Sequence, residues 1–308
     1  MASSGQVGVA GRPWGERERV EWRSRQVRRR SYLADVVAPV NALSDRFGRV
    51  EYGEVTYGSD SYPLYALRSR VHNEALPTAL VTGGVHGYET SGILGALAFL
   101  EQAARSYAER VNLVVVPCVS PWAYERIHRW NYDAVDPNRN FRPGGPAEAT
   151  ALIDFVRSTA DDYLVHLDLH ETTDTDRTEF GPALSARDGK EFVDGEIPDG
   201  FYLVADREDR QLEFQEAIIA EVGRLTHIAQ PDARGEIIGS PVIAHGVIEY
   251  PLTHLGLCAS ITNAPFKTST EVYPDSARTT PETCIAAQVT AVTAAIDFAL
   301  AHPMATSG

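Results

Sequence analysis

Residues 163–169 read Tyr163-Leu164-Val165-His166-Leu167-Asp168-Leu169, and the chain then continues His170-Glu171-Thr172. A short, β-branched, mostly apolar run of this kind predicts a strand buried on both faces, as in a parallel sheet. A second run, Val111-Asn112-Leu113-Val114-Val115-Val116-Pro117, predicts another. A third, Ala79–Thr82, closes on Gly83-Gly84. Helical patterns lie between and around these runs, at 90–104 and 148–158, and at 211–226 with Leu212, Ile218, Val222 and Leu225 facing inward. Strands alternating with helices give an α/β sandwich with a largely parallel sheet.

The rest of the chain fits this scheme. Leu33, Val36, Val37, Val40 and Leu43 suit one face of a first helix. Residues 50–57 and 62–68 suggest a strand pair separated by Gly58-Ser59-Asp60. Segments 246–250, 257–262 and 268–272 suggest late strands, so close together that part of the sheet should be antiparallel. The final helix should start at Thr280 as N-cap, with Pro281 in the first turn and Ile285, Val289, Val292 and Ile296 facing the core.

The chain has 308 residues, 44% apolar and 23% charged, which suits one large domain with a substantial core. Residues 1–30 carry eight Arg and three Glu, a local +5, against a total of −14, so the remainder carries −19. So acidic a body argues against nucleic-acid binding. The Arg- and Gly-rich stretch 1–30 suggests a disordered tail before a single catalytic domain over 31–308. Within it, Arg28-Arg29-Arg30-Ser31-Tyr32-Leu33 faintly resembles a twin-arginine signal, but no apolar segment follows. No run of about 18 apolar residues predicts a membrane-crossing helix. Cys118, Cys258 and Cys284 are dispersed and odd in number, which points to buried reduced thiols and excludes a paired-cysteine zinc site. These features predict a cytoplasmic protein with neither a nucleic-acid nor a membrane partner.

In a sheet of this class, functional side chains gather beyond the carboxyl ends of the strands. Three segments qualify. His86-Gly87-Tyr88-Glu89 follows the strand at 79–82 and offers an imidazole and a carboxylate three positions apart, two-thirds of a catalytic zinc site of two histidines and a glutamate. His170, at the mouth of the strand 163–169, can supply the third ligand. His166 and Asp168 share its side of the strand, and either could fix its tautomer. The segment Arg129-Trp130-Asn131-Tyr132-Asp133-Ala134-Val135-Asp136-Pro137-Asn138-Arg139-Asn140-Phe141 adds two arginines suited to carboxylate recognition or oxyanion stabilisation.

In order and approximate spacing, His86-x-x-Glu89, Arg129, Asp136-Pro137-Asn138-Arg139-Asn140-Phe141 and His170 resemble the zinc carboxypeptidase superfamily. The form Asp168-Leu169-His170-Glu171 looks closest to its bacterial amidase and succinylglutamate desuccinylase/aspartoacylase-like branches. Val119-Ser120-Pro121-Trp122 stands where the family has an Asn-Pro-Asp-Gly motif, here without its Asp and Gly. The resemblance spans roughly residues 50–300 and implies a three-layer α/β/α sandwich with a mixed, mostly parallel central sheet. It implies one zinc ion per chain on His86, Glu89 and His170, with Arg129 stabilising the oxyanion and Asn138 and Arg139 holding a substrate carboxylate. It also implies a late general-base glutamate, for which Glu271 in Thr270-Glu271-Val272 is preferred over Glu249, and a substrate-binding tyrosine, for which Tyr250 has the spacing. Asn263 stands where a looser alignment would want the glutamate.

Three such ligands leave a fourth zinc position for water, whose pKa falls to about 7. The implied function is hydrolysis of an amide bond beside a free carboxylate, in a small peptide by a metallocarboxypeptidase or amidase, or in an N-acyl amino acid by a deacylase. A metal-free binding protein on the same fold is the alternative from another class.

Overall fold

The structure is a computed structural model and describes residues 7–302 apart from residue 10. Ten strands and nine α-helices are assigned among these residues. The strands are β1 (Gly48–Tyr57), β2 (Asp60–Arg68), β3 (Thr78–Gly83), β4 (Asn112–Val116), β5 (Val165–Glu171), β6 (Tyr202–Asp206), β7 (Glu236–Ile237), β8 (Ser240–Pro241), β9 (Val247–Tyr250) and β10 (Phe266–Val272). The helices are α1 (Glu16–Ser24), α2 (Ala38–Ala42), α3 (Thr90–Gln102), α4 (Pro121–Arg126), α5 (Ala147–Thr159), α6 (Gly181–Asp188), α7 (Leu212–Val222), α8 (Leu252–Leu255) and α9 (Pro281–Ala301).

Eight strands form one sheet in the order β1-β2-β4-β3-β5-β10-β6-β9, and β7 and β8 form a separate two-stranded ribbon. Pairing is parallel for β4–β3, β3–β5, β5–β10 and β6–β9, and antiparallel for β1–β2, β2–β4 and β10–β6. Alternation along the central strands divides the core into layers. Ala79, Val81, Leu113 and Val115 pack with α3 and α9, whereas Leu80, Val114 and Val116 pack with Leu152, Phe155 and Val156 of α5. Tyr202, Val204 and Ile248 meet Leu252 and Leu257 at the far edge. Helices therefore cover both faces, as expected for the three-layer sandwich.

The final helix begins as the sequence suggests. Thr280 Oγ1 accepts the amide of Thr283 at 3.2 Å, and Pro281 occupies the first turn. α9 is, among the described residues, the one helix long and apolar enough by length and composition to cross a membrane, yet its Ala287, Ala291, Val292, Ala295 and Ile296 are buried in the core. The three cysteines are buried and unpaired.

Three expectations are corrected and one strand is added. Segment 257–262 is no strand: Cys258–Ser260 make one helical turn after the left-handed Gly256, and their burial comes from lying across the sheet face. A short apolar run has no periodicity to separate these cases. Leu212 at the start of α7 and Leu225 beyond its end are 38% and 45% exposed, and the inward face of α7 is Phe214, Ile218, Ile219 and Val222. The run Tyr202–Asp206 becomes β6, next to the edge strand β9, which the sequence pattern did not single out.

Residues 11–30 are not a disordered tail. α1 packs on the body: the Trp22 ring lies 4.9 Å from His128 and 5.7 Å from Trp130, and Trp14 stands edge-on to Trp130 at 6.0 Å. Arg23 Nε donates to the Tyr132 carbonyl and stacks on the Tyr132 ring, and Arg19 donates to the Asp133 carbonyl. Arg28 pairs with Glu125 and Asp60. Two large aromatic anchors outweigh a composition typical of disorder, because each buries on the order of 200 Å².

Candidate active site

The carboxyl ends of β3, β5 and β10 lie side by side, and the register places Glu271 directly opposite His170. After β3 the chain turns through Gly84, at φ +62°, into the loop that carries His86 and Glu89 and feeds α3. Gly87 is required there, since a Cβ would stand 2.0 Å from the Ala123 carbonyl carbon and the Tyr124 nitrogen of α4. That close approach turns His86 and Glu89 back toward β5.

Glu89 bridges the two histidines. Its Oε1 lies 2.6 Å from His86 Nδ1 and its Oε2 lies 2.7 Å from His170 Nδ1. All three side chains are buried, with candidate ligand atoms within 4.8 Å of one another. The outer nitrogens have carboxylate partners: His86 Nε2 donates to Asp136 Oδ1 at 2.9 Å, and His170 Nε2 donates to Asp168 Oδ2 at 2.6 Å. Such a carboxylate behind each imidazole fixes its tautomer and raises its basicity toward a metal. Two imidazoles and one carboxylate, each turned toward one point, fit a catalytic zinc ion.

The electrostatics follow from this contact pattern. Burial opposes ionisation of Glu89, but the charges of His170 and His86 hold its carboxyl at about 2. Burial likewise opposes a charged His170, yet Asp168 and Glu89 raise it well above the ordinary histidine range. Asp136 is held well below the usual carboxylate range, against its burial, by Arg129 and His86.

Arg129 is braced on three sides. Nε donates to Asp136 Oδ2 at 3.0 Å, and Nη1 donates to the Tyr88 hydroxyl at 3.1 Å and to Asp176 Oδ1 at 3.2 Å. Asp136 therefore links His86 to Arg129. Beside the histidine pair lies a small cleft walled by Arg129, Arg139, Glu271, Tyr88, Tyr202 and Tyr250 among others. Glu271 is placed by Thr172, whose hydroxyl donates to Oε2 at 3.0 Å and contacts the Tyr202 hydroxyl at 2.7 Å. Burial pushes the Glu271 carboxyl up to about 7, with Glu89 adding to the shift and His170 opposing it.

The structure thus brings together His86, Glu89, His170, Arg129, Arg139, Tyr250 and Glu271. Asn138 is directed elsewhere: its Oδ1 accepts the Cys258 amide at 2.8 Å and its Nδ2 lies beside His170 Nε2, so it packs under the histidine and is not among the residues that wall the cleft. Glu249 is turned to Arg210 and Arg207 at the sheet edge, and Asn263 binds the Tyr163 amide and Asp162. His166 does not reach His170. It sits fully buried against Thr82 and Thr262, and burial lowers its pKa to about 4. Sequence reasoning missed Tyr88, Asp176, Thr172, Tyr202 and Glu171. Glu171 accepts the Thr90 and Ser91 amides and so ties β5 to the start of α3. Of these, Tyr88 lies between His86 and Glu89, and Glu171 and Thr172 follow His170 in sequence, the one signal that could have flagged them.

The family described as succinylglutamate desuccinylase/aspartoacylase catalytic domain matches residues 75–191, the stretch that holds both histidines, Glu89 and the arginine loop. No curated protein sequence matches the chain. Among solved structures, a protein provisionally named a metallopeptidase from Shewanella amazonensis SB2B is 21% identical with a TM-score of 0.61, covering 85% of this chain and 91% of its own. A metallo-carboxypeptidase from Burkholderia cenocepacia is 13% identical with a TM-score of 0.58, over 93% and 70% of the two chains. A metallo-carboxypeptidase from Pseudomonas aeruginosa, in complex with (2-guanidinoethylmercapto)succinic acid, is 14% identical with a TM-score of 0.55, over 94% and 70%. At these identities the likeness is one of fold. The chain thus shares its fold with these metallopeptidase and carboxypeptidase structures, and its residues 75–191 are similar to the succinylglutamate desuccinylase/aspartoacylase catalytic domain.

Proposed function

We propose that this chain is a zinc-dependent hydrolase that cleaves an amide bond next to a free carboxylate. The observation that carries the reading is the meeting of His86 Nδ1, Glu89 and His170 Nδ1 at a cleft whose walls hold Glu271, Arg129 and Arg139. A zinc ion held by these three ligands supplies Lewis acidity to the scissile carbonyl and to water. Glu271 is the proton carrier: with Oε2 fixed by Thr172, its carboxylate takes a proton from the attacking water and returns it to the leaving nitrogen. Arg129 presents its guanidinium to the charge that grows on the carbonyl oxygen, and Asp136 and Asp176 keep that fork from moving. Arg139 and Tyr250 receive the substrate carboxylate, for which a planar fork is suited.

The family match over residues 75–191 favours a second form of the same chemistry, an N-acyl amino acid deacylase in place of a peptidase. Both readings need the clamp. The test compares zinc-loaded enzyme on an acyl amino acid or dipeptide having a free carboxylate with its amidated twin. Loss of an Arg–carboxylate pair costs about 2–5 kcal/mol, or roughly 30- to 3000-fold in kcat/KM. Equal turnover of the twins refutes the clamp, and the ratio of acyl to peptide turnover separates the two readings.

A further inference from the structure

Gln288 is 0% exposed in α9, on a helix face otherwise made of residues such as Ala287, Ala291 and Val292. A buried amide brings two N–H donors and an acceptor that must be matched or desolvated at a cost, and methionine would fill a similar volume without them. Packing therefore gives no reason for a glutamine here. Its hydrogen bonds do. Nε2 donates to the His170 carbonyl at 2.9 Å, and Oε1 accepts from the Thr270 hydroxyl at 2.6 Å. These partners lie on the adjacent parallel strands β5 and β10, where His170 stands opposite Glu271. Side chains alternate along each strand, so Leu169 and Thr270 face the layer of α3 and α9, while His170 and Glu271 turn to the other face. One amide thus spans the two strands from behind, at the level where His170 and Glu271 leave the sheet.

Helix α3 is shaped to admit it. A Cβ on Gly95 would stand 2.5 Å from the Gln288 Cβ, and one on Gly92 would stand 2.4 Å from the Leu169 carbonyl oxygen. Neither glycine has a positive φ, so close approach is the reason for both. The same helix leads out of Glu89, its N-cap residue. The elements that carry Glu89, His170 and Glu271 therefore meet at Gln288.

We infer that Gln288 is a positioning residue for the hydrolytic step, which sets the separation of His170 and Glu271 by holding the ends of β5 and β10 from the face away from the cleft. The inference rests on the hydrolase reading above. Gln288 touches no reacting atom, but a misplacement of about 1 Å between reacting groups can cost about 100-fold in rate.

The test compares zinc-loaded wild type with Gln288→Met, Gly95→Ala, Thr270→Val and Thr270→Ser, on the best substrate among N-acetyl-leucine, N-acetyl-glycine, N-acetyl-aspartate and alanyl-alanine. In Gln288→Met and Gly95→Ala, kcat should fall by about 10- to 100-fold while KM stays within about 2-fold and zinc occupancy stays full. Thr270→Val, which keeps the shape and removes one of the two bonds, should lose about 3- to 10-fold in kcat. Thr270→Ser, which keeps the hydroxyl, should recover most of that loss. Cobalt in place of zinc gives a visible absorption band that reports the ligand arrangement without any substrate, and the band should change in Gln288→Met. Tm falls with the lost hydrogen bonds whether the amide positions the site or only supports the fold, so the kcat-against-KM split and the band decide. A kcat within about 2-fold of wild type in both Gln288→Met and Thr270→Val overturns the inference, as does a loss confined to KM or an unchanged cobalt band. Where Gln288→Met does not fold, Thr270→Val against Thr270→Ser decides alone. Wild type with full zinc and no turnover of any probe overturns the hydrolase reading itself, and the inference with it.

Discussion

Replacing Asp168 with alanine should weaken zinc binding without touching a ligand. Asp168 is fully buried, and its Oδ2 accepts from His170 Nε2 at 2.6 Å while Oδ1 accepts from the Thr82 hydroxyl at 2.6 Å. A hydrogen bond to a charged partner contributes about 1.5–3 kcal/mol, and its removal at a metal-bound histidine costs about 10- to 100-fold in affinity. The two figures agree, since each factor of ten is about 1.4 kcal/mol. Asp168→Asn keeps the volume and can still accept from His170 through its amide oxygen, but a neutral bond is roughly half as strong, so its loss should be about 3- to 10-fold. The expected order of affinity is wild type, then Asp168→Asn, then Asp168→Ala. Competition with a chromogenic chelator at pH 7 measures it, and thermal melts of the metal-free proteins separate affinity from folding. An Asp168→Ala protein with a zinc Kd within about 2-fold of wild type would show that the carboxylate does not tune His170.

Glu271→Gln should retain zinc and lose at least about 100-fold in kcat, whereas Glu249→Gln, at the sheet edge, should change it little; a dead Glu249 variant beside an active Glu271 variant reverses the assignment. Trp22→Ala should destabilise the fold by about 3–5 kcal/mol in urea melts, because Trp22 is 4% exposed between Trp122, Trp130 and His128. A Trp22→Ala change below about 0.5 kcal/mol would restore the disordered tail. Burial, aided by the Arg129 charge, lowers His128 to about 3, and its ring accepts the Trp130 amide, so the folded state holds it neutral. The unfolded chain binds that proton below about 6.5, so stability is complete above 6.5 and falls as pH drops toward 3. At pH 5 the loss from His128 is about 2 kcal/mol, so His128→Gln should shift the pH 7 to pH 5 stability difference by about 2 kcal/mol in favour of pH 5. Zinc uptake should release protons, since His170 is held charged between Glu89 and Asp168 until metal replaces its proton; calorimetry in buffers of different ionisation enthalpy reads this directly.

The buried strands and the His86, Glu89 and His170 cluster were legible because each is a local signal. In the run Leu113–Val116, β-branching and length agree on a strand, and His86, Glu89 and His170 each follow closely on a run of the same kind. The bracing of Arg129 was not legible, because Tyr88, Asp136 and Asp176 come from three separate loops that meet only after the sheet forms. Asn138 misled for a related reason: an amide beside an arginine suggests a substrate clamp, while its partner, the Cys258 amide, is distant in sequence. The N-terminal segment misled because charge composition masked Trp14 and Trp22, whose partners also lie far along the chain.

Everything proposed for the cleft depends on a catalytic zinc ion held by His86, Glu89 and His170. Elemental analysis after equilibrium dialysis against zinc, made on wild type and on a His86→Ala, His170→Ala double variant, addresses that dependence without any assumption about substrate. About one zinc per wild-type chain is expected and none held tightly by the double variant, since a catalytic site takes three protein ligands. Full occupancy in the double variant, or a wild-type chain that takes up no zinc, contradicts the assignment.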